Sequence, residues 1–110
     1  MKIGLIRCLK TEDKCCGAKC FKAINSKKMA FKDINEDIQI IGVSTCGGCS
    51  GKSIVKRARK MIKNGADTIV LASCITKVSS DGHFCPYAQQ IQDEVKSKLG
   101  QKVNIIEYSH

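Results

Sequence analysis

The chain has 110 residues, eight cysteines and a formal net charge of +9. This length fits a single domain that buries roughly two-thirds of its unfolded surface, so folding does not depend on disulfide bonds. The apolar run at the start is too short for a signal peptide, and no stretch is long enough to span a membrane. We therefore expect a cytoplasmic protein with reduced thiols and no membrane partner, which excludes a secreted disulfide framework.

The positive charge raises nucleic acid as a partner, but two features argue against it. The charge of +9 counts every thiol as neutral, and metal-bound thiolates would reduce it. The chain also has only two Tyr, three Phe and no Trp, which leaves little aromatic surface for base stacking. Nucleic acid is therefore not expected, although a basic binding module acting through Lys56, Arg57 and Lys60 stays as an alternative. The sequence does not identify a protein partner.

The hydrophobic pattern predicts alternating strands and helices. Short runs rich in Ile and Val predict four strands, at 2–7, 38–45, 67–73 and 102–108. Apolar residues at helical spacing predict helices over 52–64 and 86–99, and the segment 17–34 predicts a helix with a loop near Asn25-Ser26. This order predicts one α/β domain over residues 1–110. We expect a three-layer sandwich with a flavodoxin-like or Rossmann-like βαβαβαβ order, in which helices cover both faces of a four-stranded, mostly parallel sheet.

Cysteines follow the predicted strands. Cys8 follows the first, Cys46 the second and Cys74 the third, while His110 comes after the fourth. Because the carboxyl ends of parallel strands share one edge, where open α/β folds bind ligands, these residues should meet there. A lone cysteine is often only a small buried hydrophobe, but several at strand ends indicate a site. The loops place more thiols within reach of this edge: Cys15, Cys16, Cys20 and Cys85.

The turn Cys46-Gly47-Gly48-Cys49 supports three interpretations. With Gly51-Lys52-Ser53 it resembles a phosphate-binding loop, but Cys46 replaces the first glycine and no Asp ends the third strand. A thiol-disulfide redox pair is an alternative, because a helix N-terminus and Lys52 would lower thiol pKa values. The only proline, Pro86, begins a helix and does not precede a strand as it does in thioredoxin-like folds.

Metal binding accounts for more of the cysteines. Two cysteines separated by two residues can chelate one ion, and Gly47-Gly48 can direct backbone N–H groups toward the sulfurs. Zinc is the first expectation because it accepts thiolate and imidazole ligands together. An iron–sulfur cluster is the alternative, because the edge holds more thiols than one zinc ion needs.

His83 lies in a polar stretch and is predicted to be a solvated loop residue. No hydrolytic constellation is visible, so the sequence does not decide whether the protein is an enzyme.

The motifs resemble those of the CGGC-domain family, small bacterial and archaeal proteins described as metal-binding domains of undetermined biochemical role. The resemblance runs through the whole chain: Ile6-Arg7-Cys8, Cys15-x-Gly17, Thr45-Cys46-Gly47-Gly48-Cys49, Arg57-Ala58, Gly65-Ala66-Asp67, Ala72-Ser73-Cys74-Ile75, Cys85-Pro86 and His110. It implies these metal ligands: Cys8, Cys15, Cys46, Cys49, Cys74, Cys85 and His110. Cys16 and Ser50 stand where the family usually has proline, and Tyr87 stands where it commonly has histidine.

Overall fold

The computed structural model describes all residues from Met1 to His110 and has the predicted α/β architecture. Four strands form one sheet: β1 (Lys2–Arg7), β2 (Gln39–Thr45), β3 (Thr68–Leu71) and β4 (Asn104–Ile106). Four helices connect them: α1 (Ala18–Asn25), α2 (Ile54–Lys63), α3 (Ser73–Thr76) and α4 (Ala88–Leu99). Two short 3-10 turns lie at Leu9–Thr11 and Met29–Phe31. None of the helices has the length and hydropathy that a membrane crossing requires.

The sheet is entirely parallel, in the order β2-β1-β3-β4. The two central strands, β1 and β3, are the most buried because helices cover both of their faces. The loop after β1 leads to α1, whereas the loop after β3 leads to α3 and α4. These loops diverge toward opposite faces, so a topological switch point lies between the carboxyl ends of β1 and β3.

Alternation along the strands divides the core into two layers. One layer joins α2 and α4 to Ile6, Ile69 and Leu71, and the other joins α1 and the turn at Phe31 to sheet residues such as Leu5. Each fully buried Ile or Leu contributes about 1.5–3 kcal/mol through the apolar surface it removes from water. The predicted three-layer sandwich with helices on both faces is therefore confirmed.

The structure differs from the sequence prediction around the third strand. The strand predicted at 67–73 ends at Leu71, and Ser73 begins the short helix α3. Ala72 keeps extended backbone angles as the N-cap, and the chain turns directly after it. Cys74 consequently lies in the first turn of a helix at the sheet edge.

Candidate metal centre at the sheet edge

Cys8 and Cys74 meet at the switch point between β1 and β3. The backbone N–H of Cys8 donates to the Cys74 Sγ at 3.2 Å. Cys8 is buried against the α2–α4 side of the sheet, and the half-buried Cys74 packs against both core layers. Two cysteines 66 positions apart are thus in direct contact, as the strand order predicts.

The Cys-Gly-Gly-Cys turn lies beside this pair. Cys46 directly follows β2, is buried, and donates its N–H to the Arg7 carbonyl at 2.8 Å, which extends the pairing of β1 and β2 by one residue. Cys49 is exposed. Because Gly47, Gly48 and Gly51 all have positive φ angles, the chain keeps turning after Cys49.

Helix α2 starts later than predicted. It begins at Ile54, and Lys52 and Ser53 belong to the preceding turn. Four residues therefore lie between Cys49 and the first helical residue, and neither cysteine of the turn lies in the first turn of α2. The helix-dipole effect expected for a redox pair fades within one turn, so this geometry weakens that alternative.

Cys85 brings a further thiol to the same place. Burial raises the pKa of the Cys85 thiol, and the nearby thiols of Cys49, Cys46 and Cys74 raise it further. Burial likewise raises the pKa of Cys8, with Cys46 and Cys74 adding to the increase. Neighbouring thiols have this effect because a negative charge forming on one thiol is opposed by the others, and Cys8, Cys46, Cys74 and Cys85 pack in the same core layer. We call the five residues the thiol cluster: Cys8, Cys46, Cys49, Cys74 and Cys85.

Cys15 and His110 lie on the other side of Cys74. Both line an open cavity of about 580 Å³, which also includes Cys74. Burial lowers the pKa of His110, and the charges of Lys19 and Lys77 lower it further. The described contacts do not join His110 or Cys15 to Cys46 or Cys49. The seven predicted ligands therefore divide into the thiol cluster and this pair, with Cys74 adjoining both.

His83 contacts the site, which the sequence did not predict. Its Nε2 lies 3.6 Å from the Cys8 Sγ, and its side chain is half-buried. The turn before it is fixed by Asp81 and Ser79, which both accept a hydrogen bond from the His83 N–H at 3.1 Å. The prediction of a purely solvated loop residue is wrong for this side chain. The spacing His83-x-Cys85 is the one sequence signal that could have indicated it.

Two arginines border the cysteines. Arg57 of α2 is half-buried, and its guanidinium donates to the Ser44 Oγ at 3.1 Å beside Gly47. Arg7 donates to the Cys15 carbonyl, and its buried Nε has no acceptor. Both guanidinium groups place positive charge beside these segments of the chain.

Gly47 allows Arg57 to approach the Cys-Gly-Gly-Cys turn, and replacing it by alanine is expected to destabilise the protein. Gly47 has a φ of +80°, and an added Cβ would lie 2.9 Å from the Arg57 Nε. The left-handed backbone alone costs about 1–2 kcal/mol, and displacement of Arg57 adds to this. Urea denaturation measures the loss of stability. The reaction rate of the exposed Cys49 thiol measures the effect of displacing Arg57.

Gly82 provides the matched control for this substitution. Its φ is +88°, but no atom lies within 4 Å of an added Cβ. Gly82→Ala should therefore show the backbone cost alone, with Cys49 reactivity unchanged. If the two variants were equal in both measurements, the contact with Arg57 would have no role.

Thiols are suitable ligands for a thiophilic metal ion, but the cysteines of this structure do not surround a common point where an ion could bind. No group of three or more His, Cys, Asp or Glu side chains has the geometry to hold a metal ion. All eight cysteines are free thiols in the structure. Buried neutral thiols do not attract one another, and metal sites often form only when the ion replaces the thiol protons.

Comparison with known proteins agrees with these motifs. The family model described as "CGGC domain" matches residues 2–110. An uncharacterized protein of Methanocaldococcus jannaschii, MJ0582, is 36% identical over 112 residues, which cover 96% of this chain and 81% of the relative. A second uncharacterized protein of that organism, MJ0766, is 36% identical over 64 residues, which cover 57% of this chain and 91% of the relative. No solved structure is significantly similar to the chain. The chain therefore belongs to the CGGC-domain family.

Proposed function

We propose that the protein binds a metal ion through the thiol cluster, with zinc as the ion. The proposal is supported chiefly by the direct contact between Cys8 and Cys74, together with the packing of Cys46 and Cys85 in the same core layer. Cys46 and Cys49 form the chelating pair, and Cys74 and Cys8 complete four ligands. Zinc suits this set because it takes four thiolates tetrahedrally, without redox chemistry.

The residues around the cluster suit a thiolate site. Four thiolates outweigh the charge of a divalent ion, so the bound site would be anionic. The Arg57 guanidinium beside Gly47 and the orphaned Arg7 Nε would offset this charge. A bound cation would also reverse the raised pKa values of Cys8 and Cys85, because it favours the deprotonated form of a coordinating thiol.

The surplus of donors bears on the role of the site. Cys85 and His83 lie next to the four proposed ligands and remain available. An ion with spare ligands beside it can be exchanged, which fits storage, delivery or sensing of a metal. The same surplus favours an iron–sulfur cluster as the second candidate, because cluster assembly needs several thiolates in a small volume.

Metal content and the absorption spectrum test the proposal, on protein purified without oxygen and without added metal. We expect a colourless solution with close to one zinc ion per chain. Iron with acid-labile sulfide and a brown colour would instead identify the bound group as an iron–sulfur cluster. If the reduced protein took up neither zinc nor a reconstituted cluster, the proposed function would be wrong.

A further inference from the structure

His83 brings an imidazole to the thiol cluster. Its Nε2 lies 3.6 Å from the Cys8 Sγ, and the backbone N–H of Cys8 donates to the Cys74 Sγ at 3.2 Å. No other hydrogen-bonding side chain contacts a sulfur of the thiol cluster in the structure. A thiol and an imidazole, the two kinds of side chain that zinc accepts together most readily, therefore meet at Cys8.

The separation of these two atoms matches that of two ligands on one ion. Zinc binds a thiolate sulfur at about 2.3 Å and an imidazole nitrogen at about 2.0–2.1 Å, with tetrahedral angles between its ligands, which places the two ligand atoms about 3.5–3.6 Å apart. An ion that binds both the Cys8 Sγ and the His83 Nε2 therefore leaves their separation unchanged. A hydrogen bond to sulfur has a similar length, so the positions of the other donors matter as well.

Cys46 approaches Cys8 from the neighbouring strand. The last register pair of β1 and β2 is Arg7 with Thr45, and the pairing continues by one residue, because the Cys46 N–H donates to the Arg7 carbonyl at 2.8 Å. Cys8 and Cys46 therefore occupy the next position on two adjacent strands, where side chains point to the same face of the sheet. Both are buried in the same core layer, so the Cys-Gly-Gly-Cys turn begins beside the pair of Cys8 and His83.

The turn that carries His83 is held by its own hydrogen bonds. The His83 N–H donates to the Ser79 Oγ and to the Asp81 carboxylate, each at 3.1 Å, and the His83 carbonyl accepts the Ser79 N–H at 2.9 Å. Asp81 also pairs at 3.6 Å with Lys14, which lies in the loop after Cys8. A ligand on a segment that is already ordered loses less conformational freedom when it binds.

His110 does not share this position, although the family resemblance implies it as a ligand. Its backbone N–H donates to the Ser73 Oγ at 3.0 Å, and none of the sulfur contacts in the structure involves its side chain. The chain has two histidines, so an imidazole from this chain on the ion belongs to His83 or to His110. The contacts favour His83.

We propose that the His83 imidazole is a ligand of the bound ion, together with the thiolates of Cys8, Cys46 and Cys49. This inference rests on the proposed function and changes one ligand of its set, because His83 takes the place given there to Cys74. A neutral imidazole in place of a thiolate reduces the negative charge of the bound site by one. The smaller charge costs less to bury next to Cys8 and Cys46, which are both buried.

Zinc X-ray absorption and NMR of the histidine nitrogens test the assignment, on the reduced full chain loaded with zinc in the absence of oxygen. The absorption spectrum should show three sulfurs and one imidazole nitrogen around the ion. In the NMR spectra, the Nε2 resonance of His83 should move to the range of a metal-bound imidazole, while both nitrogens of His110 keep their metal-free positions. Both measurements use the unmodified chain, so they do not depend on how a variant folds.

His83→Ala and its matched control His110→Ala separate ligation from other effects, because each removes a half-buried imidazole. His83→Ala should weaken zinc binding by at least the about 10–100-fold that the loss of an outer-shell partner costs, and it should remove the imidazole from the absorption spectrum. His110→Ala should keep that imidazole and change the affinity by less than about threefold, because residues without shared contacts are nearly independent.

The outcomes distinguish this inference from the proposed function. Zinc held by sulfur alone would overturn the assignment of His83 and leave metal binding by the thiol cluster intact. An imidazole signal that disappears in His110→Ala and persists in His83→Ala would also overturn it, because the nitrogen ligand would then be His110. If the chain took up no zinc, the proposed function itself would fail, and the assignment of His83 with it.

Discussion

Replacing Cys46 and Cys49 together by serine is expected to abolish stoichiometric metal binding. The pair is the chelating unit of the proposed site, and a serine hydroxyl does not ionise near neutral pH to replace a thiolate. The three cysteines of the cluster that remain, Cys8, Cys74 and Cys85, come from separate segments and would hold zinc far more weakly without the chelating pair. Elemental analysis after anaerobic purification and dialysis measures the loss, and we expect metal to fall from close to one ion per chain to below about a tenth.

Two further variants separate ligation from folding. Cys46 is buried, so serine there places a hydroxyl in the core, whereas Cys49 is exposed and Cys49→Ser should leave the fold unchanged. The single variant is still expected to lose most of the metal. Cys16→Ser is the matched control, because Cys16 is also exposed but lies outside the thiol cluster. A double variant that folds and keeps a full equivalent of metal would show that the site lies elsewhere.

The sequence predicted the architecture because its signals are local. Runs of Ile and Val identify strands, and helical spacing of apolar residues identifies the amphipathic helix α2, whose inner face includes Ile54, Ala58 and Met61 in the structure. Alternating strands and helices with right-handed crossovers then predict a parallel sheet, although they do not determine the order of its strands. The meeting of Cys8 with Cys74 is the direct result, because both follow strands that lie side by side.

Other features depend on contacts that no local pattern encodes. His83 contacts Cys8 from a polar turn, 75 positions away in the chain. Its neighbours in the sequence are mostly polar, which is typical of a solvated loop. Helix α3 is a single turn, too short for apolar periodicity to indicate. The position of His110 was expected from its place after the last strand, but its attachment to Ser73 depends on how α3 and the end of the chain pack together.

Replacing Ser73 by alanine is expected to lower the free energy of unfolding by about 2–4 kcal/mol, because one hydroxyl satisfies several buried backbone groups. The Ser73 Oγ accepts the N–H groups of Ser109 at 3.1 Å and His110 at 3.0 Å, and it donates to the His110 carbonyl at 2.8 Å. Alanine would leave all three backbone groups without this partner. Urea denaturation measures the loss of stability.

The same substitution should also release the end of the chain from the open cavity that Cys15, Cys74 and His110 line. Amide hydrogen exchange at Ser109 and His110 is expected to accelerate while exchange in β1 follows only the global change in stability. Ser97→Ala is the control, because the Ser97 hydroxyl donates to the Glu94 carbonyl at 3.2 Å on the exposed face of α4, and its loss should cost less than about 0.5 kcal/mol. Equal effects of the two variants would mean that the Ser73 hydroxyl does not hold His110 in place. A selective effect would instead show that one buried hydroxyl in α3, next to Cys74, fixes one wall of the cavity.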